Sequence, residues 1–502
     1  MPIRLRPRII SGVKNSCFQW LSTSALIVNL ACSQGLLAQT SKTVDGPDAH
    51  EIPLPPIKTA SKPFPGVDKL PVRPELPDIL TMDDGTKVTT VAQWTKRREQ
   101  IKRILEYYAV GSMPPAPGNV QGQEMKSELV MDGKVKYRLV KLTFGPDRKL
   151  ELYIGIFTPA DAKGPVPAII SQSSEPPGGS ELPRSPQGPN QGKGEDVLMM
   201  VGPGTTPPAA PRVGGGRPPL TAEAIAKSRA EVFQRGYALV VYNDNDCAED
   251  TTLREADGSF TFRHTRFYPA YPGYEWGILG GWAWGASRVA DYLVTDPAID
   301  KTKLLITGAS RAGKSAMVAA AFDDRLMGAP VVTGGGGIGA YRFAGPDKSE
   351  TLDIMQKKYP NWFSPHLHEF WGQREKLPFD EHWFLALCGP RPFLALEGDA
   401  DTISYPDAVE HSIEAAWKAY GLYGKKDDLG VHYSHHAHAF TNEDWTAMMD
   451  FADKNLRGMP STKTFDHFLT VEQRAAAVAD AAAHAPARPA GPPVGDPGPP
   501  PR

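Results

Sequence analysis

A serine flanked by small residues sits in the stretch Gly308-Ala309-Ser310-Arg311-Ala312-Gly313-Lys314. An apolar run at residues 303–307 (KLLIT) leads into it, and helical spacing resumes from Gly313. A sharp strand-to-helix turn of this kind exposes a hydroxyl at a helix N-terminus, where N–H groups and the helix dipole favour developing negative charge. Gly308 and Ala309 are small enough for the turn, although Ala312 stands where the usual G-x-S-x-G pattern has its second glycine. Ser310 is therefore the candidate nucleophile.

The same residues, Gly308 to Ser315, also satisfy the phosphate-binding pattern G-x-x-x-x-G-K-[ST]. Three features argue against that reading. The chain opens like an exported protein, for which nucleoside triphosphates are scarce. The motif lies past the middle of the chain, whereas a phosphate loop normally follows the first strand of its domain. No apolar strand ending in a magnesium-holding Asp stands out in a matching context downstream.

A hydrolytic serine needs a histidine and a carboxylate, and in strand–helix folds these follow in the order Ser, acid, His. The apolar run at 392–396 leads into Glu397-Gly398-Asp399-Ala400-Asp401, and the run at 429–433 leads into Ser434-His435-His436-Ala437-His438. Asp401 is preferred to Asp399 because Gly-x-x-Asp after a strand suits the acid, while Asp399 reads as a turn former. His438 is preferred because it sits where the loop turns toward the last expected helix; His435 and His436 lie nearer the strand, and His432 within it. Four histidines in seven residues also raise a metal site, but no Cys or carboxylate partners stand at fixed spacing, and no metal or other cofactor is expected.

These residues must be carried by a scaffold, and the surrounding pattern supplies one. Helical periodicity covers 91–110, with Trp94, Ile101, Ile104 and Leu105 on one face. Alternation at 136–142 and 150–157 predicts an antiparallel pair. Strand and helix then alternate: strands at 166–171, 237–242, 303–307, 392–396 and 429–433, and helices at 222–234, 278–293, 313–322, 408–420 and 444–455, the last of these final. Such alternation predicts a three-layer α/β/α sandwich on a mostly parallel sheet, with its chemistry at the carboxyl ends of the strands.

The 502 residues suffice for such a domain, and a net charge of −2 with scattered Lys and Arg speaks against nucleic acid. Arg4, Arg6, Arg8 and Lys14 precede an apolar run, so residues 1–38 read as an export signal, interrupted by Asn29, Ser33, Gln34 and Gly35 where a retained anchor would be continuous. The expectation is a secreted or periplasmic monomer with no membrane partner once the signal is removed. A Pro-rich lead-in fills 39–75, the catalytic domain 76–458, and a disordered Ala- and Pro-rich tail the stretch from 483. The long Gly-, Pro- and Ser-rich loop at 176–218 is either functional or disordered. Cys247 and Cys388, the two cysteines beyond the signal, either pair or stay as buried thiols.

The segment Gly308-Ala309-Ser310-Arg311-Ala312-Gly313-Lys314 resembles the G-x-S-R-x-G-K nucleophile motif of the glucuronoyl esterases, carbohydrate esterase family 15. Leu377-Pro378-Phe379-Asp380-Glu381-His382, Gly389-Pro390-Arg391-Pro392 and Tyr359-Pro360-Asn361-Trp362-Phe363 match further stretches, and Thr81-Met82-Asp83-Asp84-Gly85-Thr86 with Gly111-Ser112-Met113-Pro114-Pro115 is similar to the bacterial branch. The resemblance spans roughly residues 75–457. It implies an α/β-hydrolase fold and hydrolysis of the ester between the 4-O-methyl-glucuronic acid of glucuronoxylan and an alcohol of lignin. It also implies that Arg311 helps hold the oxyanion and that Lys314 binds sugar hydroxyls. Two departures accompany it. Fungal members carry the acid in a Gly-rich segment after the serine, which here reads Val332-Thr333-Gly334-Gly335-Gly336-Gly337-Ile338-Gly339 without a carboxylate; some bacterial members draw it from the later loop, as Asp401 would be. The family's sugar-stacking Trp after the acid is replaced by Ile403. The alternatives to a glucuronoyl esterase are another carbohydrate esterase, such as an acetyl xylan esterase, and an inactive carbohydrate-binding relative.

Overall fold

Strands that are apolar at every position need cover on both faces, and the centre of this molecule provides it. The computed structural model describes residues 64–173, 177, 221–248, 250, 267, 270–271, 273–274, 276–345 and 349–484. Among them, nine strands form one sheet: β1 (Gln121–Val130), β2 (Val135–Phe144), β3 (Leu150–Pro159), β4 (Val166–Ser173), β5 (Ala238–Asn243), β6 (Ile299–Thr307), β7 (Leu326–Gly328), β8 (Phe393–Gly398) and β9 (Leu429–Ser434). Their spatial order is β1-β2-β3-β5-β4-β6-β7-β8-β9. β1, β2, β3 and β5 pair antiparallel in succession, and every pair from β5–β4 to β8–β9 is parallel.

The period of two divides each central strand between two cores. Ile170, Val240, Ile306 and Ala395 pack into one cluster, and Ile169, Leu239, Leu305 and Leu394 into the other. Helices α1 (Val91–Leu105), α4 (Ile278–Leu293), α5 (Arg311–Phe322), α7 (His382–Cys388) and α8 (Pro406–Gly421) give residues to the first cluster. Helices α2 (Ala222–Ser228), α3 (Ala230–Gln234) and α9 (Asn442–Arg457) give residues to the second. The short α6 (Leu352–Lys358) lies between α5 and α7 in sequence. The result is the expected three-layer sandwich. α1 starts at a capping box formed by Thr90 and Gln93, and it buries Trp94, Ile101, Ile104 and Leu105 as its spacing predicts.

Several expectations change. The helix expected over 222–234 is two helices, broken at Arg229, whose φ of −127° and ψ of 31° leave the helical region. β1 has a single buried residue, Val130, so it carries no apolar alternation by which to find it. The helix at 444–455 is not the last, because α10 (Val471–Ala483) follows, capped by Thr470 and Gln473. α10 buries only Ala477 of its own, but its Arg474 pairs with Asp407 and Glu410 on α8. The folded chain thus runs past 458, where the catalytic domain was expected to end.

Cys247 and Cys388 are buried thiols that form no disulfide. No helix among the described residues is long and apolar enough to cross a membrane. The expected export signal, the loop at 176–218 apart from Pro177, the lead-in up to residue 63 and the tail beyond His484 lie outside the described residues.

Candidate active site

Ser310 occupies the turn between β6 and α5 with φ 52° and ψ −117°, a backbone conformation in which a residue with a Cβ is strained by about 1–3 kcal/mol. Two contacts hold it there: the Ser310 N–H donates to Val331 O at 2.9 Å, and the Lys314 N–H to Ser310 O at 2.9 Å. The flanking glycines are required by space. A Cβ on Gly308 would lie 2.7 Å from the Ala312 carbonyl, and one on Gly313 would lie 2.7 Å from Thr333 Cγ2 and 2.8 Å from Gly308 O. Gly313→Ala sets two effects against each other: a helix-propensity gain of about 1 kcal/mol and an overpacking cost of about 1–3 kcal/mol. Two of the three nearest atoms are backbone carbonyl oxygens, which cannot rotate away, so the variant is expected to melt below the wild type in a thermal scan; a higher Tm would refute the tight packing.

The loops after β8 and β9 converge on this turn. His438 Nε2 lies 2.9 Å from Ser310 Oγ, and His438 Nδ1 lies 2.7 Å from Asp401 Oδ2. Asp401 is buried, and its other oxygen accepts from the N–H groups of Ile403 at 2.7 Å and Ser404 at 3.1 Å. Burial alone would raise its pKa, but the His438 hydrogen bond and charge and these two N–H groups outweigh it and hold it below the ordinary value. A carboxylate only accepts, so the imidazole proton belongs on Nδ1, and Nε2 is left to accept from the Ser310 hydroxyl. Asp399, the other candidate acid, faces His435 Nδ1 at 3.0 Å instead. His436 is tied to Asp444, and His432 packs edge-on against Phe465. No group of His, Cys, Asp and Glu among the described residues is arranged to hold a metal ion.

The two cations of the motif are placed differently from one another. Arg311 opens α5, the position whose N–H lies outside the helical ladder, and its guanidinium pairs with Asp250 at a partly exposed site. Asp250 also accepts from Trp362 Nε1 at 2.7 Å, whose indole stacks on Tyr359 with 4.0 Å between ring centroids. Sequence reasoning missed Asp250, and a lone Asp 61 positions upstream of Arg311 gives no signal by which to find it.

Lys314 departs from the sugar-contacting position expected of it. Its side chain is fully buried, running beneath the Gly-rich segment, and its ammonium donates to Thr333 O and, at 2.8 Å, to Glu350 Oε2. A buried cation needs such partners, and these two occupy it inside the protein. The same arrangement disposes of the phosphate-loop reading, since the Ser315 hydroxyl is likewise committed, donating to Gln172 at 3.0 Å. Glu350 itself is buried, which raises its pKa against the opposing charge of Lys314. Ile403, in place of an aromatic, is exposed.

Residues 213–424 match the family model described as glucuronyl esterase, fungi, a stretch that contains Ser310 and Asp401 and ends before His438. A carbohydrate esterase from an unidentified prokaryote is 26% identical over 414 residues, covering 76% of this chain and 90% of its own. A 4-O-methyl-glucuronoyl methylesterase of Hypocrea jecorina is 27% identical over 414 residues, covering 80% and 74%. Among solved structures, the family 15 glucuronoyl esterase of Caldicellulosiruptor kristjansonii is 27% identical with a TM-score of 0.58, covering 80% of this chain and 95% of that one. The glucuronoyl esterase of Solibacter usitatus, 24% identical, shares the fold with a TM-score of 0.60, covering 77% and 99%. Motif and relatives together make the chain similar to the glucuronoyl esterases of carbohydrate esterase family 15, carboxylic-ester hydrolases whose α/β-hydrolase fold it shares.

Proposed function

We propose that the chain is an exported serine esterase that cleaves 4-O-methyl-glucuronoyl esters of glucuronoxylan, the links between that polysaccharide and lignin alcohols. The observation that carries the reading is the hydrogen-bonded line Ser310–His438–Asp401 at the ends of β6, β9 and β8. Ser310 Oγ attacks the ester carbonyl while His438 Nε2 takes its proton, and Asp401 keeps the ring oriented and stabilises the imidazolium. The tetrahedral oxyanion forms at the start of α5, where the Arg311 N–H and guanidinium stabilise it. Collapse expels the alcohol, which receives the proton from His438, and a water activated by the same ring then releases the uronic acid and frees Ser310. Export is supported by the basic cluster Arg4, Arg6, Arg8 and Lys14 ahead of an apolar run.

A second reading, a less selective carbohydrate esterase such as an acetyl xylan esterase, is favoured by Ile403, which offers no aromatic face to a sugar ring. Parallel kinetics on benzyl glucuronate and acetylated xylan separate the two. The first reading expects kcat/KM to favour the glucuronate by about 10⁴-fold, the scale on which a site that pairs a substrate's polar groups rejects one lacking them. Equal or reversed preference would hand the site to the second reading.

A further inference from the structure

We propose that His436 is a positioning residue, an imidazolium cross-brace that holds the His438 loop in register with Asp401. This rests on the role given above to His438. Both ring nitrogens of His436 face acceptors: Nδ1 lies 2.6 Å from Ala437 O, and Nε2 lies 3.1–3.2 Å from the Asp444 carboxylate. Two acceptors are satisfied together only by a ring that carries both protons. The side chain is 9% exposed and Asp444 is fully covered, so water cannot substitute for the Nε2 bond.

The brace sits where the two functional loops touch. His436 O accepts from the Ala400 N–H at 3.2 Å, and Ser434 O accepts from the Asp399 N–H at 3.0 Å. A Cβ on Gly398 would lie 2.3 Å from His436 O and 2.6 Å from its Nδ1, so the acid loop passes directly over this residue. Beyond it, Asp444 collects the Ser434 hydroxyl at 2.8 Å and the Thr441 N–H at 2.7 Å as the third residue of α9. The position of His438, two residues on from His436, is thereby anchored to a core helix on one side and to the acid loop on the other.

The charge on the ring follows from its surroundings. Burial lowers its pKa, but the Asp444 hydrogen bond and charge, the Ala437 carbonyl and the Asp401 charge raise it above the ordinary value. From the end of β8, Glu397 acts on this group of acids; its burial pushes its own pKa well up, so it adds little negative charge. On its own loop, His436 is flanked by His435, which is drawn to Asp399 and Asp480, and by His438, drawn to Asp401. A group raised in this way is charged at low pH, and the brace is complete there. It is lost as pH rises through the folded-state value, which gives kcat a falling alkaline limb.

Three proteins and one spectroscopic reading test this. His436→Ala is expected to lower kcat by about 10–100-fold with KM within about twofold, the scale of a small misplacement of the base. His436→Gln keeps a donor for Asp444 that does not titrate, so it should restore kcat to within about fivefold of the wild type and abolish the alkaline limb. Ring ¹⁵N shifts of His436, recorded on Ser310→Ala protein at pH 7, should be those of an imidazolium; that reading needs no turnover and so stands apart from the esterase assignment. A neutral ring at pH 7, or an alkaline limb that persists in His436→Gln, would overturn the proposal.

Discussion

Ser310→Ala is expected to reduce kcat by about 10⁴–10⁶-fold on any ester the wild type cleaves, while the protein stays folded and binds substrate. Removing the hydroxyl removes the group placed 2.9 Å from His438 Nε2, so the histidine loses the nucleophile it would activate. What survives is binding and the electrostatics at the start of α5, worth about 10³–10⁴ over water in comparable sites. The size of the loss separates this residue from a structural serine, whose substitution by Ala would move kcat by less than about tenfold. Stability gives a second handle on the same turn. Ala keeps the Cβ that strains the 52° φ, whereas Ser310→Gly relieves about 1–3 kcal/mol against an entropic cost of about 0.5–1 kcal/mol. The glycine variant should therefore unfold at a denaturant concentration no lower than that of the alanine variant, with both inactive. Retention of more than about 1% of wild-type kcat in Ser310→Ala would remove the serine from the mechanism.

What was legible beforehand was what short-range pattern encodes. β5 and α4 announce themselves by composition and periodicity, and each of Ser310, Asp401 and His438 lies within eight positions of the end of an apolar strand. A fixed sheet order then brings strand ends together whatever the sequence separation, so the 128 positions between Ser310 and His438 were no obstacle. Features set by tertiary context were silent. β1 is held by pairing with β2 while its side chains stay polar, and α7 (HWFLALC) is buried on every side and shows no period. The helix over 222–234 breaks at Arg229 without a Gly or Pro to mark it. The burial of Lys314 was not legible because helical position fixes where a side chain starts, and the segment later folded over it decides whether it reaches solvent. Asp250 reaches Arg311, and Asp444 reaches His436, through contacts that no local pattern records.

The acid is the sharpest test of that convergence, because two candidate carboxylates lie two residues apart. Asp401→Asn is expected to lower kcat by about 10⁴-fold, with the loop intact. The Asn oxygen can still accept from the Ile403 and Ser404 N–H groups, which leaves its NH₂ facing His438 Nδ1. An NH₂ there donates to Nδ1, drives the ring proton to Nε2, and leaves nothing to accept from the Ser310 hydroxyl. The imidazolium of the transition state also loses its counter-charge. Asp399→Asn changes only the half-exposed His435 contact and should alter kcat by less than about threefold, the scale of a surface ion pair. Side-by-side rates for the two variants therefore read the geometry directly. A loss below about tenfold in Asp401→Asn would mean that His438 draws its counter-charge elsewhere. Glu350, whose carboxylate acts electrostatically on His438 from beside Lys314, would then be the next residue to replace.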